Sequence, residues 1–400
     1  MRGIKYHSSA NTSGYGLSGL AYIRALINND VPVWWQPLVY STIGPVTWTP
    51  SCSAPSNDLL RIASDDAVLS DIASLTQASC RPVEYDVQIV HLIPEYWPYL
   101  MEPGRLRVGY TMWEMDKLPD SWPSLLNLAD RILVPDRRTR DLFINAGIKP
   151  SIHVVPHIRR HVWNSFSVDE VAQARKKFCS SNDNYVFYTI NAWEPRKAIP
   201  DLVQAYLEEF NADESVTLLL KTTDSVVAHP NSRERLMTQS AMQELVSSIQ
   251  QRIGKSSIPE ISLFAETDVS GREIDLIHNV GNCYISLSHA ECWSLGAFDA
   301  AALGRPIIMT GWGGQTDFMG EHHPGLVKFQ MVPVERWLAY ETHDPQQNWA
   351  QCDIAHARRL MRHAFNNRQQ HEQQAESLRY KILTQYGEPV IAKILLDALS

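Results

Sequence analysis

Residues 286–319 read SLSHAECWSLGAFDAAALGRPIIMTGWGGQTDFM, and this stretch decides the fold class. The apolar run CYISLS (283–288) stops just before the acid Glu291. A turn of small residues follows, then the helix-compatible LGAFDAAALG and a second apolar run, PIIMT. Strand, small-residue turn, helix and strand make a βαβ unit, which belongs to a parallel sheet. Glu291 stands at the carboxyl end of the first strand, and Asp299 lies about two turns into the helix. Both acids can face one crevice, one toward a sugar and the other toward ribose hydroxyls. A carboxylate suits this because it accepts two hydroxyl hydrogen bonds. The backbone N–H groups of WSLG, which contains Ser294 and Leu295, would face a phosphate at the helix start.

About one hundred residues upstream, NAWEPRKAIPDLVQAYLEEF (191–210) places Arg196 and Lys197 between a strand and a helix. Two adjacent cations there suit a diphosphate, Arg as a planar fork and Lys as a point charge; a solvated basic turn is the competing reading. Lys221, in LLLKTT, either adds a cation near the phosphates or is a strand-end surface lysine.

The same alternation runs through the whole chain. The first half reads strand (3–8), helix (17–29), strand VPVWWQPL, a polar loop (41–57) and a helix near 64–75. Strands YDVQIVHLI and RVGYTMWEM, helix SWPSLLNLADR, strand RILVP, helix RRTRDLFINAG and strand IHVVP follow. After an irregular polar stretch (157–183), the second half repeats this grammar, with a long helix around 233–253. The last ~35 residues predict one or two helices. The pattern predicts an α/β protein of two domains with a cleft between them. Ligands are expected outside the carboxyl ends of the strands.

The segment GYGLSG (14–19) matches G-x-G-x-x-G after a strand and before a helix, the dinucleotide fingerprint. That reading also needs the first glycine directly after the strand and an acid ending the second strand. Here SSANTS intervenes, and VPVWWQPL ends in Trp, Gln and Pro. The segment therefore predicts a mobile, phosphate- or carbohydrate-facing turn rather than a nicotinamide clamp, with a plain packing turn as the alternative.

The 400 residues suit two domains. A net charge of −8 disfavours general nucleic-acid or anionic-lipid binding. No apolar run approaches the ~20 residues of a membrane span, and the amino terminus has no signal-peptide core. Six scattered Cys without a C-x-x-C pair predict free thiols and a cytoplasmic setting, and a basic patch near RRTR or HIRRH could add peripheral contact at the inner face of a membrane.

Together these pieces resemble the retaining glycosyltransferases of GT-B fold in the large family four, with its E-x7-E element followed by A-x-A-x-G-x-P-V-I. In ECWSLGAFDAAALGRPII, Glu291 matches the first acid and Asp299 the second, and Leu295, Gly304 and Pro306 fall in register. RKAIPDLVQAYLEEF resembles the family's R-K-G segment, and VGYTMWEMDKLPDSW through IHVVPH resembles the end of its first domain. The resemblance implies two Rossmann-like domains facing a cleft: 1–165 on the acceptor side, 166–365 binding the donor, and 366–400 crossing back as helices. It implies that Glu291 contacts the transferred sugar and Asp299 holds ribose, while Arg196 and Lys197 neutralise the leaving diphosphate. Gly14, Tyr15 and Gly16 would close over that diphosphate, with Ser294, Leu295 and Lys221 also on the donor side.

The family also presents a His from the first domain, for which His91 is the candidate; a hydrogen-bonded strand-end His is the alternative. Glu114 and Trp113 are acceptor-side candidates, though Glu114 also reads as a loop carboxylate capping DSW. His157, Asp317 and the GWGG turn (311–314) are further cleft candidates without an assigned role. The expected activity is hexosyl transfer from a UDP- or GDP-sugar to a glycan, glycolipid or protein hydroxyl. No metal or other cofactor and no nucleic acid are expected. Of three departures from the family pattern, the first two support an alternative, a catalytically weakened nucleotide-sugar or glycan-binding protein, and the third implies a different sugar pocket. Asp299 is one methylene short, Asn191–Ala192 stand where the family has Gly-Arg, and Ser294 and Gly296 replace Gly and Pro.

Overall fold

The computed structural model describes residues 1–9, 13–41, 44–47, 75, 78–79, 81–160, 163–227, 235–267, 269–335, 343 and 345–400. The expected helix near 64–75, apart from Leu75, and the sequence around Asn11 lie outside them. The described chain forms two compact units. The first holds Met1–Trp113, Leu118–Trp163 and Leu383–Ser400; the second holds Glu114–Lys117 and Asn164–Ile382.

The described residues of the first unit form seven strands: β1 (Ile4–Ser9), β2 (Val33–Ser41), β3 (Gly44–Thr47), β4 (Val87–His91), β5 (Leu106–Tyr110), β6 (Arg131–Val134) and β7 (Ser151–Val154). Their order is β3-β2-β1-β4-β5-β6-β7, parallel throughout except for β3, which pairs antiparallel with β2. The strand order therefore reverses between β1 and β4. Strand β4 is buried at every position, as expected for parallel strands covered on both faces. The last helix, Glu388–Leu399, packs on the helix Gly14–Ile27.

One sequence expectation changes here. GYGLSG is not a loop: the helix begins at Gly14, with Ser13 as N-cap accepting from the Gly16 N–H at 3.2 Å. A capping serine can start a helix directly on glycines, and none of the three has a positive φ. Gly19 instead serves close packing, because a Cβ there would come within 2.8 Å of the Ser8 Cβ. The last ~35 residues hold two helices, Arg368–Gln385 and Glu388–Leu399, within the expected one or two, and a further helix, Ile354–Asn366, precedes them.

The second unit carries β8 (Tyr185–Ile190), β9 (Val216–Thr222), β10 (Ser225–Val227), β11 (Arg235–Met237), β12 (Glu260–Ala265), β13 (Cys283–Ser286), β14 (Ile307–Thr310) and β15 (Leu326–Val327). Six of these form a parallel sheet in the order β12-β9-β8-β13-β14-β15, which reverses between β8 and β13. Strands β10 and β11 pair as a small hairpin, and β16 (Phe329–Pro333) pairs antiparallel with β17 (Asn348–Cys352). The core joins Phe187, Leu218, Leu220 and Ile285 to Leu202 and Tyr206 of the helix Ile199–Glu209. Each such side chain contributes about 1.5–3 kcal/mol by leaving water. Capping boxes at Ser167–Glu170 and Ser270–Glu273 fix two helix starts.

Candidate functional site

The switch point of the second unit is where the charged residues gather. Strand β8 ends at Ile190 and leads through a short turn to Arg196 and Lys197; β13 ends at Ser286 and leads to Glu291. The two connections leave neighbouring strands toward opposite sides, which opens a crevice at their carboxyl ends. There Lys197 Nζ lies 2.6 Å from Glu291 Oε1, and Arg196 Nη1 lies 3.4 Å from Oε2. The Glu291 side chain is only 6% exposed. Burial alone would raise its pKa, but Lys197 and Arg196 outweigh burial and hold the carboxyl below its ordinary value. Arg196 also donates to the Ala290 carbonyl at 2.8 Å. Its Nη2 reaches Glu114 at 3.4 Å and Glu194 at 3.7 Å.

Backbone hydrogen bonds hold this loop on both sides. His289 N donates to Arg196 O at 2.8 Å, Ala350 N to His289 O at 2.9 Å, and Gly314 N to Glu291 O at 2.9 Å. The His289 ring stacks on Trp349 with centroids 4.5 Å apart, and Nδ1 lies 3.0 Å from the Ala350 carbonyl oxygen. Gln315, fully buried, donates to the carbonyls of Thr310 and Trp312 and so fixes the GWGG turn. That turn needs Gly313, whose φ is +132° and whose Cβ would meet Glu291 O at 2.5 Å.

Ala198 (φ 47°) and Ser294 (φ 64°), two of the three non-glycine residues with positive φ among the described residues, begin the helices that follow Lys197 and Glu291. The resembled family has glycine at both places. Holding L-residues in this left-handed region costs about 1–2 kcal/mol each, and such strain collects at functional sites.

The remaining sequence candidates are distributed unevenly. Leu295 opens the helix Leu295–Ala302, in which Asp299 is half-buried. Lys221 is half-buried near the end of β9, and burial lowers its pKa. Asn191, where the family has glycine, turns its amide inward to Thr189 and Ser286 at 2.8 and 3.2 Å. Sequence reasoning missed the pairing of Glu114 with Arg196, since nothing local links residues so far apart.

In the first unit, His91 is fully buried, with Nδ1 2.7 Å from the Tyr6 hydroxyl, Nε2 3.0 Å from Ser18 Oγ, and its ring stacked on Tyr110. Burial, with the nearby His157, pushes its pKa well below the ordinary value. Tyr15 turns its hydroxyl onto Thr111 Oγ1 and the Met112 N–H, both at 3.1 Å. Gly14 and Gly16 lie in the first helical turn. Trp113 is buried against Trp122, with ring centroids 4.6 Å apart.

Among the described residues no group of three or more metal-ligating side chains occurs, and no helix is long and apolar enough to cross a membrane. Cys179, Cys283, Cys292 and Cys352 are buried free thiols, while Cys52 and Cys80 lie outside the described residues.

Neither a family model nor a curated protein matches the sequence. Solved structures do match it in fold. A sucrose-phosphate synthase from Thermosynechococcus elongatus aligns with a TM-score of 0.63 at 13% identity, covering 100% of this chain and 98% of that one. A glycosyltransferase from Rickettsia africae gives 0.62 at 13%, covering 98% and 96%. The fold is GT-B. Anabaena HepE, solved with UDP and glucose, gives 0.56 at 13% over 100% and 99%. At these identities the likeness is one of fold, so the GT-B assignment rests on topology and the chemistry rests on the side chains above.

Proposed function

We propose that the chain is a glycosyltransferase that moves a hexosyl group from a nucleotide-diphosphate sugar to an acceptor hydroxyl with retention of anomeric configuration. The observation that carries this reading is the pairing of Arg196 and Lys197 with the buried Glu291 at the β8/β13 switch point of a GT-B unit. Transfer breaks the bond between the anomeric carbon and the diphosphate oxygen, forms one to the acceptor oxygen, and releases the acceptor proton. Negative charge grows on the departing diphosphate, and preorganised cations stabilise it where it develops. Arg196 and Lys197 supply those cations, and the N–H groups at Leu295 add to them. Glu291 remains ionised and faces the sugar, with Asp299 on the ribose and Lys221 as a further donor-side cation.

We assign His91 to fixing Ser18, and with it the first helix, since both ring nitrogens are engaged. A uridine donor is favoured by HepE, which was also solved with UDP-glucose. The acceptor we propose is a glycan, lipid-linked glycan or protein hydroxyl, and the side-chain cations take the part a divalent metal has in other transferases.

Thermal shift against UDP, GDP and their sugars tests the donor, because binding to the folded state raises the melting temperature. Glu291→Ala and the pair Arg196→Ala with Lys197→Ala should abolish transfer. Unchanged activity in both would refute the site. A second reading, a binding protein with little turnover, is favoured by Asn191–Ala192: the Asn191 amide turns inward to Thr189 and Ser286, and Ala192 offers no cation where the family has its arginine. Tight donor binding in calorimetry without product from any acceptor would select it.

A further inference from the structure

Four residues, Glu114–Lys117, belong to the second unit although the chain on both sides of them belongs to the first. They are fastened there closely. The Asp116 carboxylate accepts from Asn348 N at 2.6 Å and from Asn348 Nδ2 at 2.7 Å. Asp116 N donates back to Asn348 O at 3.4 Å, Lys117 Nζ reaches Gln346 O at 2.9 Å, and Met115 is fully buried. Asn348 opens β17; two residues on, Ala350 binds His289, which in turn binds the Arg196 carbonyl. Arg196 closes the ring on Glu114. The excursion thus aims one carboxylate at the cation from an anchor built into the same hairpin that braces the loop before Glu291.

The charges around Arg196 and Lys197 explain why this matters. Among the described residues, three carboxylates, Glu291, Glu114 and Glu194, stand within ion-pair reach of these two cations, a formal sum of −1. Each carboxylate that stays beside these two cations weakens their hold on a diphosphate, and one that yields strengthens it. Glu291 is enclosed and held at 2.6 Å by Lys197, whereas Glu114 is 24% exposed and only 3.4 Å from Arg196. Glu194 is looser still, 47% exposed at 3.7 Å, but only Glu114 is held in place by an anchored segment, so it is the one displaced from a fixed position. A phosphate oxygen pair matches the guanidinium fork better than this single long contact.

We propose that Asp116 and Asn348 clamp Glu114 onto Arg196 as a stand-in for the donor diphosphate, which displaces it on binding. This rests on the donor-binding reading above. The clamp makes Asp116 and Asn348 positioning residues that set the strength of donor binding through Glu114, without touching the donor.

Calorimetry with UDP, GDP and uridine on the full chain tests it, using wild type, Glu114→Gln, Asn348→Ala and the double variant. Glu114→Gln should bind the nucleoside diphosphate about two- to fivefold tighter, the size expected for one partly exposed ion pair, with the response to uridine unchanged. Asn348→Ala should shift affinity in the same direction by less and add nothing in the Glu114→Gln background, since both act through one contact. Asp116→Asn replaces Asn348→Ala if that variant unfolds. Unchanged or weaker diphosphate binding in Glu114→Gln overturns the stand-in, and full additivity in the double variant overturns the clamp. If wild type binds neither UDP nor GDP, the donor-binding reading fails, and this inference with it.

Discussion

The two sheets share one strand order, and each reverses direction at a switch point, but different chemistry fills the space beside each. In the first unit, His91 ends β4 opposite Ser8, and its ring nitrogens are taken by Tyr6 and Ser18. Tyr22 and Tyr110 complete a sealed neutral cluster, their hydroxyls 3.1 Å apart. In the second, the corresponding turns carry Arg196, Lys197 and Glu291. A neutral network whose donors and acceptors are satisfied stabilises the fold it sits in. A buried ion pair is a poor stabiliser, because desolvating two charges costs about what their attraction returns. Topology alone therefore does not make a site; the second unit carries charge and left-handed backbone where the first carries hydrogen-bonded rings.

Lys197→Met tests this contrast most severely. It should reduce turnover by about 10²–10³-fold, the usual effect of losing one preorganised group at a developing charge. It should also lower stability by up to about 3–5 kcal/mol, since Glu291 is left buried with its closest partner gone. Adding Glu291→Gln should restore much of the melting temperature but not activity. Recovery of both would mean that the ion pair is structural, like the histidine cluster.

The first unit should show its character in its response to acid. Burial lowers the His157 pKa to about 3 and that of His7 to about 4, so the unfolded chain, with His near 6.5, binds more protons. Their contribution is present above pH 6.5 and is lost as pH falls toward these folded values. His157 alone accounts for about 2 kcal/mol between pH 6.5 and 4.5. Denaturant titrations over that interval should show a correspondingly shallower pH slope for His157→Phe than for wild type. Equal slopes would remove the neutral histidine from the account of this unit.

The smallest effect concerns backbone. Ala198→Gly or Ser294→Gly relieves a left-handed residue but adds freedom to the unfolded chain, for a net gain of about 0.5–1 kcal/mol in chemical denaturation. A loss of stability instead would show that these side chains make contacts worth more than the strain.

Much of the second unit was legible because its signals are local. Arg196, Lys197 and Glu291 each follow a strand within a few residues, so the pattern of apolar run, turn and helix places them at one edge of one sheet. GYGLSG misled for the converse reason. A glycine pattern states what backbone it permits, and only the cap at Ser13 and the close approach at Ser8 show that it is helix. Trp113 and His91 also depend on distant partners. Ser18 is 73 residues from His91 and Tyr6 is 85, and no window of sequence contains such pairs.

By itself the sequence determined an α/β alternation, two units and the positions of the acids and cations, because strand and helix periodicity and turn residues act over a few neighbours. Only the tertiary structure decided which charges meet: Lys197 with Glu291, and Arg196 with Glu114, one of four residues that belong to the second unit while the chain on both sides of them belongs to the first. Ion pairing depends on separation in space and on burial, and both are set by how strands far apart in the chain are ordered in the sheet.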